Sequence, residues 1–259
     1  MKKFSFFKKK GYLIIDLFNS KEIDFIKKSI EKKILSQISK INQNKNFKYK
    51  NLTSFHKNKF NDFSHKKIFE SNNRYVSFKK KVLSKMKKNK IILSSMKNIW
   101  GHNKNEIKWV ASLKKKQIKK NVAGFRIVRP SKKFSKDVTG KHIDINVGGK
   151  ICSDKNVLLT AWTPICGFSK KYSLILAPGS HLKDHSPKTY IKSGKTISKI
   201  FKKSYEKKFK FKRFSLNKGQ AILFHPNLIH GGSNNLGSIT RASIEIRYYN
   251  KKNIYLWNS

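Results

Sequence analysis

His142 and Asp144 stand two apart in His142-Ile143-Asp144, and His230 and then Arg241 follow much later in the chain. Two imidazoles and one carboxylate can hold one face of a ferrous ion and leave the other face open, the facial arrangement of non-haem iron sites. An arginine placed after the last histidine can clamp the far carboxylate of a 2-oxoacid with two parallel hydrogen bonds. In a strand, residues i and i+2 point to the same side, so His142 and Asp144 can reach one ion together. The small residues Gly231-Gly232-Ser233 after the second histidine let a ligand or backbone come close. Arg241 sits among apolar neighbours, where a buried guanidinium needs an anionic partner. Glu245 is the nearest acid in sequence, and a bound dicarboxylate would supply the charge.

Several elements must position these residues. Gly11 to Leu17 is a short apolar run and reads as a strand. Asn19-Ser20 with Glu22 reads as a helix start, and Ile23, Ile26, Ile30 and Ile34 follow at helical spacing. Residues 41 to 75 show no clear period and read as loop or irregular helix. Residues 76 to 120 are lysine-rich and predict further helix. From residue 121 the pattern changes to short apolar runs: Ala123 to Val128, Asn156 to Pro164, Tyr172 to Ala177, Gly219 to Phe224 and Ala242 to Tyr249. Gly148-Gly149, Pro164, Gly167 and Pro178-Gly179 separate them as turn signals. The last run alternates polar and apolar residues, as a half-buried strand does. A polar, basic insertion spans residues 183 to 213. The expectation is one domain over 1–259, α+β and mainly β. Residues 1–120 supply a strand and helices, and residues 121–250 a sandwich or barrel core carrying the metal site.

The formal net charge is +48, but only six of the 61 basic residues are arginine and 55 are lysine. Nucleic-acid sites favour arginine for its planar fork and its stacking. Lysine is instead spread end to end among Asn, Ile and Phe, residues that AT-rich codons share. No specific nucleic-acid partner is expected; salt-sensitive sticking to polyanions needs only charge. No apolar run approaches the length of a membrane span, and the apolar stretch near Met1 is too short for a signal peptide. Two cysteines, Cys152 and Cys166, with no histidine placed to activate either, fit a reducing cytoplasm.

Four stretches carry a family resemblance: Gly11-Tyr12-Leu13-Ile14-Ile15-Asp16-Leu17-Phe18; Leu159-Thr160-Ala161-Trp162-Thr163-Pro164; Leu174 through Pro178-Gly179-Ser180-His181; and Gly219 through His225-Pro226 to His230-Gly231. With His142-Ile143-Asp144 and the His230–Arg241 spacing, the chain resembles the phytanoyl-CoA dioxygenase-like family of Fe(II)/2-oxoglutarate-dependent oxygenases, nearly end to end. The resemblance implies a double-stranded β-helix, the jelly roll of cupin-like folds, with Fe(2+) held by His142, Asp144 and His230. It implies 2-oxoglutarate as co-substrate, its distal carboxylate on Arg241 and Trp162 lining its pocket. O2 is the second co-substrate, and succinate and CO2 are released as a small molecule is hydroxylated. Asp144 keeps the carboxylate that related halogenases lose. Many relatives carry Ser two residues after the distal histidine; here that position is Gly232, and Ser233 is the candidate hydroxyl. His181 and His225 fall in structural positions of the family's motifs. Arg126 and Arg129, an odd number apart, face opposite ways on a strand, and Arg129 is the candidate for a substrate anion. A likeness to members in bacterial surface-carbohydrate gene clusters points to a sugar-linked substrate. The competing readings are a non-catalytic jelly-roll binding module and a basic nucleic-acid-binding protein.

Overall fold

The computed structural model describes residues 2–41, 51–58, 65, 68–69, 74–100, 107–114, 117–132, 135, 137–144, 157–185, 190–192 and 199–250. Cys152 and the Gly148-Gly149 turn lie outside these residues. In chain order, helix α1 (Lys2–Lys10) precedes strand β1 (Tyr12–Asp16) and helix α2 (Ser20–Ile41). Next come β2 (Tyr75–Ser77), α3 (Lys80–Lys87) and α4 (Lys90–Trp100). Then follow β3 (Ile107–Lys114), β4 (Gln117–Lys120), β5 (Val122–Val128) and β6 (Val157–Cys166). The remainder holds β7 (Ile175–Leu176), β8 (Tyr190–Lys192), β9 (Lys199–Phe201), α5 (Lys203–Glu206) and β10 (Lys212–Arg213). It ends with β11 (Gln220–Phe224), β12 (His230–Gly231) and β13 (Arg241–Asn250).

The main sheet runs β1-β11-β6-β13-β3-β4. The first half of β13 also pairs antiparallel with β5, which pairs in turn with β2. Facing it is a small sheet, β10-β7-β12, widened by an antiparallel bridge from His142 to His230. Two antiparallel sheets of this kind make a jelly roll, and the site lies between them.

Strands β6, β11 and β13 of the main sheet are buried on both faces. Ala221 and Leu223 of β11, Leu159 and Ala161 of β6, and Ala242, Ile244, Ile246 and Tyr248 of β13 pack outward into one core with α2, α3 and α4. Ile23, Ile26, Ile30 and Ile34 are the helical side of that core, all buried as their spacing predicts. Each such side chain stabilises the fold by roughly 1.5–3 kcal/mol. A reciprocal box starts α2: Asn19 N–H donates to Glu22 Oε2 at 2.7 Å, and Glu22 N–H to Asn19 Oδ1 at 2.8 Å. On the other face, Trp162, Ile222 and Phe224 meet Leu174 and Leu176 of the small-sheet side.

Residues 107–120 correct the helical reading: they are strands β3 and β4. Ile107, Trp109, Ala111 and Leu113 recur at period two, and apolar Val110 between them and the lysines that follow from Lys114 obscure that rhythm. Four strands that precede residue 121 thus join the main sheet, so the change of pattern there is not a boundary between helices and sheet. Residues 2–10 form a helix, which the basic character of that stretch does not signal. Tyr172–Ala177 keeps strand geometry only at β7, because a 3-10 turn over Lys170–Tyr172 precedes it.

Candidate metal centre

The small sheet brings the two histidines side by side through the backbone. His142 N–H donates to His230 O at 2.9 Å, and His230 N–H to His142 O at 2.9 Å. This cross-strand pair leaves the ring centroids 4.4 Å apart. Asp144 enters two residues later, its N–H bonded to Pro226 O at 2.8 Å, so the turn that launches β12 also holds the metal motif. One ligand atom each from His142, Asp144 and His230 lies within 4.8 Å of the others, and all three residues are buried.

Tautomer and charge suit a divalent metal. His142 Nδ1 lies 2.8 Å from Gly140 O, and His230 Nδ1 2.9 Å from Leu228 O. A carbonyl only accepts, so each Nδ1 carries the proton and each Nε2 its lone pair. His230 Nε2 is buried, has no hydrogen-bond partner among the described residues, and stands 3.7 Å from Asp144 Oδ1. Burial, and then the neighbouring His230, push the His142 pKa down to about 3. For Asp144, burial pushes the pKa up, but Arg247, His230 and His142 outweigh it and hold the carboxyl below the usual carboxylate range. A neutral His142 imidazole, the Nε2 of His230 and the Asp144 carboxylate make an N,N,O set that fits Fe(2+).

A pocket adjoins the triad. Arg126, Trp162, Gly232, Arg241, Ser243 and Glu245 line it beside His142 and His230. Arg241 is 4% exposed, donates from Nη1 to the Tyr172 carbonyl, and lies 5.3 Å from the Phe168 ring centroid. Burial, and then the Arg126 charge, lower its pKa to about 10, so it remains a cation at neutral pH. Gly167 permits this approach: its φ is +73°, and a Cβ there would stand 2.3 Å from Thr240 O. The turn after β6 can therefore cross the start of β13 only as glycine.

The other expected site residues divide. Trp162 lines the pocket and also packs edge-on to Phe168 at 5.0 Å, so it serves pocket and core together. Ser233 does not face the pocket: its hydroxyl donates to Ser173 O at 2.8 Å and accepts from Arg213 Nε at 3.2 Å. Arg129 is likewise not a pocket residue. It lies past the end of β5 and forks onto Asp137, with Nε to Oδ2 at 2.9 Å and Nη2 to Oδ1 at 2.8 Å. Arg126, on the opposite face, takes the pocket position; burial, and then Arg74, lower its pKa to about 10. A Cβ at Gly232 would come 3.1 Å from Val138 Cβ, tight enough that a serine there would have to displace Val138.

His181 and His225 sit as a pair 5.1 Å apart, away from the triad. His181 Nε2 lies 3.0 Å from Lys8 O, a tether for α1. Cys166 is half-buried, and desolvation pushes its thiol up to about 11. The described part of the basic insertion does not line the pocket. It braces the metal motif from behind: Phe201 N–H donates to Lys141 O at 2.9 Å, and Lys141 Nζ pairs with Glu206 Oε2 at 2.7 Å.

Thr160, Ser243, Glu245 and Arg247 belong to the site although sequence reasoning assigns none of them a role there. A signal for three of them is present: Arg241, Ser243, Glu245 and Arg247 recur at period two on a strand whose other positions are Ala242, Ile244, Ile246 and Tyr248. The alternation is not half-burial but two buried faces of opposite character.

A jelly roll that closes over two histidines, an aspartate and a buried arginine defines the class of non-haem iron oxygenases. The chain belongs to the family described as Phytanoyl-CoA dioxygenase (PhyH), whose model matches residues 7–243. It is thus a 2-oxoglutarate-dependent non-haem iron oxygenase, an oxidoreductase using Fe(2+), 2-oxoglutarate and O2. No curated protein matches it in sequence. Among solved structures it is similar to the non-heme alpha ketoglutarate dependent carbocyclase SnoK from nogalamycin biosynthesis, at 12% identity and TM-score 0.54, covering 96% of this chain and 84% of that one. EctD from S. alaskensis with bound Fe is similar at 13% identity and TM-score 0.54, over 97% of this chain and 77% of that one. EvdO2 from Micromonospora carbonacea var. aurantiaca complexed with 2-oxoglutarate is similar at 10% identity and TM-score 0.54, over 96% of this chain and 90% of that one. At such identities the likeness establishes the shared fold. No helix among the described residues is long and apolar enough to cross a membrane.

Proposed function

We propose that this oxygenase hydroxylates a small molecule that carries an anionic group, sugar-linked compounds being the class its sequence resemblance favours. The observation that carries the assignment is the buried triad whose Nδ1 positions are both taken by carbonyls, beside the cationic Arg241. His142, Asp144 and His230 would hold Fe(2+), and the metal with 2-oxoglutarate supplies O2 activation coupled to oxidative decarboxylation of the 2-oxoacid.

This chain's residues do the rest. Arg241 binds the distal carboxylate of the co-substrate, and its own bond to Tyr172 O aims the guanidinium before the ligand arrives. Ser243, two residues on and on the same face, offers the hydroxyl that Gly232 lacks and Ser233 does not bring to the pocket. Trp162 and Phe168 wall that end and exclude water. Glu245 is paired to Arg247, and Arg241 is committed to the co-substrate, so Arg126 is the pocket cation left for substrate. Arg126 Nη1 donates to the Asp137 carbonyl at 3.2 Å, which leaves guanidinium N–H groups for a carboxylate or phosphate. The paucity of cysteines supports action in a reducing cytoplasm.

Succinate release from 2-oxoglutarate on addition of Fe(2+) tests the assignment, and His142→Ala and Arg241→Ala should abolish or cripple it. Unchanged release in either variant would sink it. A panel of charged and neutral candidate substrates, with O2 uptake coupled to product formation, tests the anionic requirement. Neutral analogues turning over as well as charged ones would remove Arg126 from the substrate site.

A further inference from the structure

Arg247 lies six residues beyond Arg241, on the same inward face of β13. It is 6% exposed. Its Nη2 donates to Asp144 Oδ1 at 2.6 Å and forms an ion pair with Glu245 Oε1 at 2.6 Å. The other oxygen of Asp144, Oδ2, accepts from the Thr160 hydroxyl. Both oxygens of the metal-ligand carboxylate are therefore held from the main sheet, by residues of β13 and β6. The histidines are held from the small sheet. The triad spans the two sheets, and these two bonds are what join its carboxylate to the larger one.

A carboxylate on a single Cβ has two free torsions, and a metal needs one oxygen presented toward both imidazole Nε2 atoms. One hydrogen bond leaves rotation about the Cα–Cβ axis partly open; a bond to each oxygen closes it. A guanidinium is a poor neighbour for a cation site on charge alone, because like charges repel in a low-dielectric interior. Glu245 answers that difficulty. Paired with it, Arg247 adds orientation without adding net charge to the site.

Resting on the reading of this site as an Fe(2+) centre, we propose that Arg247, neutralised by Glu245, is a positioning residue that fixes Asp144 for the metal together with Thr160. The expected effect is opposite in sign to simple electrostatics. Were Arg247 only a buried counter-ion competing for Asp144, its removal would free the carboxylate and tighten metal binding. As a positioning residue, its removal weakens binding.

The experiment is titration of the metal-stripped protein with Co(2+) and Fe(2+) under anaerobic conditions, read by calorimetry and by the visible Co(2+) ligand-field spectrum. Arg247→Met should lower affinity about 10- to 100-fold, the usual effect of losing a residue that orients a metal ligand, and alter the Co(2+) spectrum. Arg247→Lys, which keeps the charge and one donor, should recover part of both. Thr160→Val removes the other hydrogen bond without touching charge, should weaken binding in the same direction, and serves if Arg247→Met does not fold. Equal or tighter binding in folded Arg247→Met or Thr160→Val would overturn the proposal. Failure of the wild-type protein to bind either metal would instead overturn the reading of the site itself.

Discussion

The two faces of β13 do different work. Ala242, Ile244, Ile246 and Tyr248 turn toward the helices, all at 0% exposure. Arg241, Ser243, Glu245 and Arg247 turn toward the small sheet and the metal motif. A single strand thus carries the fold on one side and the chemistry on the other, separated by one residue of register. A slip by one position would bury four polar side chains among helices and aim four apolar ones at the metal. The register is pinned on both flanks, by β6 and by β5 with β3.

The contrast between the faces is tested first where function should fail completely. His230→Ala removes a proposed metal ligand, and succinate release should fall to background while circular dichroism retains the native secondary structure. Loss of fold instead would show that the histidine pair is a structural clasp. On the apolar face, Ile244→Ala should cost about 2–5 kcal/mol of stability, measured by denaturant unfolding. Turnover per folded molecule should be retained; a large loss of turnover would mean the faces are not separable. On the polar face, Arg241→Ala should do the reverse, raising the KM for 2-oxoglutarate by roughly 10- to 100-fold through lost charge-assisted bonds. Ser243→Ala should give a smaller shift of the same kind, about 2- to 10-fold. No change in KM would leave Arg241 without a hydroxyl partner on its strand.

A pH measurement sharpens the contrast between a buried group held charged and one held neutral. Asp144 is buried as an anion against the Arg247 guanidinium, whereas partly buried His225 is held neutral, its pKa pushed down to about 3 by burial and then by His181. The unfolded chain takes up a proton on that histidine below about pH 6.5 and the folded one does not. Stability should therefore fall as pH drops from about 6.5 toward 3, by up to about 1.4 kcal/mol per pH unit for this group. His225→Gln should flatten that part of the stability curve; an unaltered slope would assign the acid sensitivity elsewhere.

Much of this is legible in local pattern. The isoleucines of α2 declare a helix and its buried side, because apolar side chains three and four residues apart share one face only when the chain is helical. The strands β1, β5, β11 and β13 are marked by apolar runs between turn residues. His142, Asp144, His230 and Arg241 are readable as a set because their chemistry is restrictive and their order is that of a known family. Residues 107–120 resist the same reading because Val110 interrupts the alternation and a lysine run follows from Lys114, so neither period stands out, and only pairing with β13 distinguishes them. Arg126 and Arg129 illustrate the limit most plainly. Their parity assigns them to opposite faces, yet nothing local says which face holds the pocket. Asp137, eight residues past Arg129, decides it by capturing that side chain.

The sequence alone thus determined the chemical type: two imidazoles, one carboxylate and one guanidinium in an order that suits iron and a 2-oxoacid. It did so because ligand identity is a property of side chains. Which neighbours hold those ligands was decided only by tertiary structure. Arg247 and Thr160 reach Asp144 across 103 and 16 residues of chain. Ser233 turns from the pocket and Ser243 turns into it. Such choices follow from the register of two sheets, and register is a relation between distant strands that no single strand can carry.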